Sequence, residues 1–226
     1  MRAKSQRILA LNKKLAQDLE LYRFKDLPVL GGGVGLESIK SIEPSKNRYD
    51  AVFVGRLSRT KGVYDLLDIW EKVCDSLPKA RLAVIGGGPD NLTKELKDLA
   101  IRKSVAHNVA FLGFISDKEK FAAMKSSRLF LFPSHEEGWG LVVAEAMACG
   151  LPIAAYDLDI FGSVYKKGYL TVPLFDTESL AESVLKVLEK KDYAKSLSKD
   201  ALAESSNFDN QIIVRNFLEF LDLANG

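Results

Sequence analysis

Between residues 49 and 173, short apolar runs alternate with stretches whose apolar positions recur at helical spacing. The runs 51–55 (AVFVG), 82–85, 109–112, 129–132, 153–156 and 169–172 read as strands. The segments 62–77, 91–102, 118–125 and 141–149 read as the helices between them. Strands that are apolar throughout and separated by helices predict an α/β fold, a doubly wound parallel sheet covered on both faces. From Asp176 onward the pattern is helical. Leu180, Val184, Leu185, Val187 and Leu188 form one apolar stripe, and 211–223 reads as a further amphipathic helix.

The first fifty residues follow a different pattern. Ile8, Leu9, Leu11, Leu15, Leu19 and Leu21 make a helical stripe among Arg2, Lys4, Arg7, Lys13 and Lys14. A basic amphipathic helix of this kind can lie on a membrane. The plainer reading, and the favoured one, is a helix packed against its own protein. A glycine-rich segment, PVLGGGVG at 28–35, and a polar stretch, 41–50, come next; the latter reads as a linker. The expected division is a helix, strand and linker over 1–48, then one α/β domain with C-terminal helices over 49–226.

Composition narrows the function classes. The chain has 226 residues, 47% hydrophobic and 27% charged, which is ordinary for a soluble globular protein. Its 32 basic and 30 acidic residues leave a formal charge of +2, with no basic footprint or reading motif for nucleic acid. Cys74 and Cys149 are not in a Cys-x-x-Cys pair and read as buried thiols in a reducing, cytoplasmic compartment. No apolar run is long enough to span a bilayer. His107 and His135 lack metal-ligand spacing, so no metal is expected. The glycines at 31–33 and 86–88 do not complete G-x-G-x-x-G, and no G-x-x-x-x-G-K-[ST] loop occurs, which removes the dinucleotide and ATP fingerprints.

Two segments carry candidate chemistry. In 134–150, SHEEGWGLVVAEAMACG, a glycine-hinged loop runs into a helix that stops at Gly150. Gly138 and Gly140 let the backbone approach a ligand, and the helix start offers free N–H groups to an anion. Glu137 sits in the loop. Glu145 sits in the second helical turn on the face of Leu141. In 53–62, FVGRLSRTKG, a strand ends at Gly55 and Arg56 and Lys61 flank the turn into the next helix. A planar fork and a point charge together suit a diphosphate. In an open α/β sheet this is the carboxyl edge, where ligands bind. Taken alone, the pair reads equally as two solvated cations.

Taken together, the residues resemble a known family. P-S-x-x-E-G-W-G-L-x-x-x-E-A-M-A-x-G-L-P contains Glu137-x7-Glu145, with V-G-R-L-x-x-x-K-G upstream and VAFLGFI between them. This resembles the retaining GT-B glycosyltransferases over about residues 28 to 226. The resemblance implies the Rossmann-like C-terminal, nucleotide-sugar-binding half of a GT-B fold, with an acceptor domain ahead of it of which the first helix is a remnant. Segment 30–37 is similar to the family's interdomain I-P-N-G-V-D, with Gly32 where Asn is usual. Residues 157–162, DLDIFG, depart from the common Gly-Gly-x-x-Glu and resemble a subset that includes phosphatidylinositol mannosyltransferases.

The resemblance also implies roles. Arg56 and Lys61 neutralise the donor diphosphate, Glu145 bonds the ribose hydroxyls, and Glu137 lies near the transferred sugar. Gly138, Trp139, Gly140, Leu141 and Val142 present backbone N–H groups to sugar and phosphate. Phe114, Ile115 and the Lys118 stem border the base. Catalysis is expected to rest on Glu137, Arg56 and Lys61, with a UDP- or GDP-linked sugar as substrate and no cofactor. The partner expected is the acceptor domain or a partner chain, with peripheral membrane association through a lipid acceptor. Three other readings stand beside this one: glycoside hydrolysis by the two carboxylates, a nucleotide-sugar epimerase, and a non-catalytic or split-enzyme binding subunit.

Overall fold

A computed structural model describes residues 31–223 and the isolated position Gln17. The basic helix expected before residue 22 lies outside the described residues. Strands β1 (Ala51–Val54), β2 (Leu82–Ile85), β3 (Val109–Gly113), β4 (Phe130–Phe132), β5 (Ile153–Tyr156) and β6 (Tyr169–Val172) form one parallel sheet in the order β3-β2-β1-β4-β5-β6. The direction of winding reverses between β1 and β4. At that point the connections leave to opposite sides and open a crevice at the carboxyl ends of the strands.

Alternation along each strand decides which helix meets which side chain. Ala51, Phe53, Leu129, Leu131, Ala154 and Tyr156 belong to one buried cluster. It is closed by α2 (Val63–Ser76), α3 (Asp90–Arg102) and α7 (Thr177–Glu189), through Leu66, Leu67, Trp70, Leu96, Leu180 and Val184. Val52, Phe130, Phe132, Ile153 and Ala155 point the other way. Helices α4 (Asp117–Lys125), α5 (Leu141–Ala148) and α8 (Lys191–Ser205) cover that face with Phe121, Met124, Val143, Met147 and Ala201. Each fully buried large side chain contributes about 1.5–3 kcal/mol, so neither face survives exposure to water.

The strands and helices expected between 49 and 173 form within about a residue of their predicted bounds. Other segments differ. A short helix α1 (Leu36–Lys40) forms where an interdomain segment was expected, because Leu36 and Ile39, three apart, bury one face beside α5. No strand is formed at 31–35; Val34 makes only an isolated bridge to Asp209. The polar stretch 41–50 is tied down. Ser45 donates to the Ala122 carbonyl at 2.9 Å, and Lys125 Nζ donates to the carbonyls of Lys40 and Ile42 at 3.0 and 2.7 Å. The tail is divided into α7, α8 and α9 (Asn210–Leu223), and a kinked single turn, α6 (Ile160–Ser163), precedes β6. Among the described residues no helix is long and apolar enough to cross a membrane.

Candidate functional site

Two clefts open at the carboxyl edge of the sheet, and Arg56 lines both. The first, of about 500 Å³, runs over the ends of β1 and β2. Val54, Ile85, Gly86, Gly87, Phe114 and Ile115 give it apolar walls, and Asp117 and Lys120 close one side. Phe114 stands at its lip, 91% exposed. The second, of about 360 Å³, is lined by Arg56, Thr60, Lys61, Glu136, Glu137 and Gly138 and is polar. One cleft therefore suits a flat, weakly polar group and the other a charged one, with a guanidinium between them.

The second cleft is built by joining two loops. His135 N donates to the Thr60 carbonyl at 2.9 Å. The Ser134 hydroxyl lies 3.3 Å from the Thr60 carbonyl, 3.1 Å from that of Glu136 and 3.4 Å from Glu137 Oε1. Lys61 Nζ donates to Glu137 Oε1, and both side chains are largely shielded, 22% and 13% exposed. The approach is close enough to require glycine at position 62. Its φ is +65°, and a Cβ there would lie 1.8 Å from the Pro133 carbonyl oxygen. No L side chain fits that space.

Helix α5 starts at Gly140, whose φ of +75° turns the loop into the helix without a side-chain cap. Val143 N donates to the Gly140 carbonyl at 2.7 Å, and no side chain caps the first turn, whose N–H end favours anions. Tyr165 Oη donates to the Gly140 carbonyl at 2.8 Å and fixes the turn. Trp139 points inward, edge-on to Tyr165 and Phe208 at 5.7 and 5.3 Å.

Glu145 faces Lys120 at 3.0 Å, and Lys120 also reaches Asp117 at 3.0 Å. Burial pushes the Glu145 carboxyl above the ordinary carboxylate value, and the nearby Lys120 only partly opposes this. Burial would lower the Lys120 pKa, but its bonds to Asp117 and Glu145 outweigh that and raise it. The pair is asymmetric because the lysine has two acceptors and the carboxylate one cation. Behind the loop, Asp65 Oδ2 accepts from Tyr156 Oη at 2.8 Å and lies 3.0 Å from His135 Nε2. Burial, then the bond to Asp65, pushes the Tyr156 hydroxyl up, so it stays a neutral donor.

Of the residues expected at the site, Arg56, Lys61, Glu137 and Gly138 meet in one cleft, and Phe114 and Ile115 share the other with Arg56. Glu145 adjoins through Lys120. Leu141 is exposed and Val142 half-buried in the first turn of α5. Lys118 is exposed and lines neither cleft; Lys120, which the sequence reading did not single out, takes the place beside Ile115. The signal was present in the capping box formed by Ser116 and Glu119. A helix starting at Asp117 puts positions 117 and 120 on one face and turns 118 away. Gly86, Gly87 and Thr60 were also missed.

The family model described as "Glycosyl transferases group 1" matches residues 36–203. A phosphatidyl-myo-inositol mannosyltransferase of Mycobacterium leprae is 31% identical over 172 residues, 72% of this chain and 44% of that protein. The alpha-monoglucosyldiacylglycerol synthase of Acholeplasma laidlawii is 25% identical over 183 residues, 79% of this chain and 46% of that protein. The chain spans about half the length of these curated relatives. Among solved structures, Anabaena HepE in complex with UDP superposes with a TM-score of 0.83 at 20% identity, covering 95% of this chain and 63% of that one. S. aureus TarM, solved with UDP and alpha-GlcNAc-glycerol, gives 0.78 at 18% identity, covering 93% and 43%. The fold matches GT-B glycosyltransferase structures, and on the family match the chain belongs to the glycosyl transferases of group 1.

Proposed function

We propose that this chain is the donor-binding part of a retaining glycosyltransferase and takes a nucleoside-diphosphate sugar. The observation that carries the reading is Arg56 standing between an apolar cleft and a charged one. A base in the first cleft and a sugar in the second would bring the diphosphate linking them against the guanidinium. Arg56, Lys61 and the start of α5 then neutralise the leaving diphosphate, so no general acid is required. Its released oxygen can accept the proton of the acceptor hydroxyl, which gives retention without a covalent intermediate. In this reading Glu145 bonds the ribose, Glu137 the sugar, and Lys120 holds Glu145 in place. UDP in the HepE and TarM structures supports a nucleotide donor. The named activities of the mycobacterial and Acholeplasma relatives support a lipid acceptor. A second domain or partner chain, meeting the membrane through that lipid, would present it to the same cleft.

A thermal-shift screen of UDP, GDP, ADP and their sugar conjugates tests this. A ligand at a hundredfold excess over its Kd should stabilise the fold by about 2.7 kcal/mol. No shift with any of them at millimolar concentration refutes the donor-site reading.

A further inference from the structure

The two cations of the charged cleft are held differently. Arg56 is exposed and has no hydrogen-bond or ion-pair partner among the described residues. Lys61 is largely shielded and already neutralised by Glu137, whose carboxylate also lies 3.4 Å from the Ser134 hydroxyl. We infer that Glu137 is an internal counter-ion that competes with a diphosphate for Lys61, and so sets the preference for a sugar-bearing donor over the bare nucleoside diphosphate. The inference rests on the donor-site reading and adds a selectivity to it.

An ionised carboxylate only accepts hydrogen bonds, whereas Lys61 has three donors. A diphosphate arriving at Lys61 brings like charge up to a Glu137 side chain that is 13% exposed, where water screens it poorly. Lys61 can turn to the phosphate only if Glu137 finds other donors. The hydroxyl groups of a sugar on that diphosphate supply them. A nucleoside diphosphate alone does not, so it meets a repulsive carboxylate and a lysine already engaged. The same contact favours departure of the diphosphate once its sugar has been transferred.

The test titrates the 226-residue chain and its Glu137→Gln variant with inorganic pyrophosphate, UDP, GDP, UDP-glucose and GDP-mannose. Glutamine keeps the shape and an acceptor but removes the charge. Pyrophosphate and the nucleoside diphosphates should bind the variant at least about fivefold tighter, the fully water-screened lower limit for relief of one close like-charge contact. The preference for sugar conjugate over diphosphate should fall by at least that factor. In a Lys61→Met background the same substitution should gain clearly less, since only the like-charge repulsion is then relieved and no cation is freed. Melting curves without ligand check that each variant folds, and Glu137→Ala repeats the measurement should the glutamine variant not fold. Unchanged or weaker diphosphate binding overturns the inference, as does a gain that is undiminished without Lys61. Absence of binding by every chain overturns the donor-site reading and this inference with it.

Discussion

Lys120 Nζ lies 3.0 Å from Glu145 Oε1, joining the helix that follows β3 to the helix that follows β4 beside the apolar cleft. Burial of this carboxyl gives it a pH dependence that the contact only moderates. Burial raises the Glu145 pKa, so the stability this group contributes is full below its unfolded pKa and is lost as pH rises through the folded one. On the proposed bond from a ribose hydroxyl to Glu145, which is stronger to the ionised carboxylate, nucleotide affinity should run the opposite way and fall as pH is lowered through a window above the ordinary carboxylate range. Replacing Lys120 by Met removes the opposing cation and should move that window to higher pH. Calorimetric titrations of a nucleoside diphosphate between about pH 4 and pH 8 read both effects. Glu145→Ala should cost roughly tenfold to a hundredfold in affinity at neutral pH.

Asp65 is shared by donors from two other elements, Tyr156 and His135. Asp65→Ala should destabilise the fold by about 1–3 kcal/mol, because the buried Tyr156 hydroxyl loses its partner. In a Tyr156→Phe background the same substitution should cost clearly less. Urea denaturation of the four proteins closes the cycle; equal costs in both backgrounds would deny the coupling.

Gly62→Ala should be among the most damaging single-atom additions in the chain. The positive φ costs about 1–2 kcal/mol for an L residue, and the clash with the Pro133 carbonyl adds to it. Loss of more than about 2 kcal/mol in chemical denaturation, with weakened pyrophosphate binding, is expected. A variant that is stable and binds normally would show that the two loops need not touch.

Burial pushes the Cys74 thiol up to about 11 and the Cys149 thiol up to about 12. At pH 8 the thiolate fraction is then on the order of one in a thousand or less. Both should resist iodoacetamide in the folded chain and react fully in urea, as read by intact mass. Rapid modification of the folded chain would contradict the burial.

What the sequence determined alone is the sheet and its two helical covers. Runs such as Phe130–Phe132 and Ile153–Tyr156 are apolar on both faces, and a strand of that kind is stable only between two layers. Period and punctuation are local properties, so element bounds were legible, and so was the family likeness of the segments around Arg56 and Glu137. The order β3-β2-β1-β4-β5-β6, with its crevice beside β1, fits the expected doubly wound class, but its register is a property of packed strands. Only the tertiary structure decided which charges meet. Lys61 and Glu137 are 76 positions apart, and their pairing depends on two loops pressed together at Gly62. The choice of Lys120 over Lys118 turned on the phase of one helix. The polar stretch before β1 is held to the domain by carbonyls that accept from Lys125. Periodicity reports which face of an element is apolar; it carries no information on which distant side chain will stand opposite a polar one, because that depends on packing the whole chain at once.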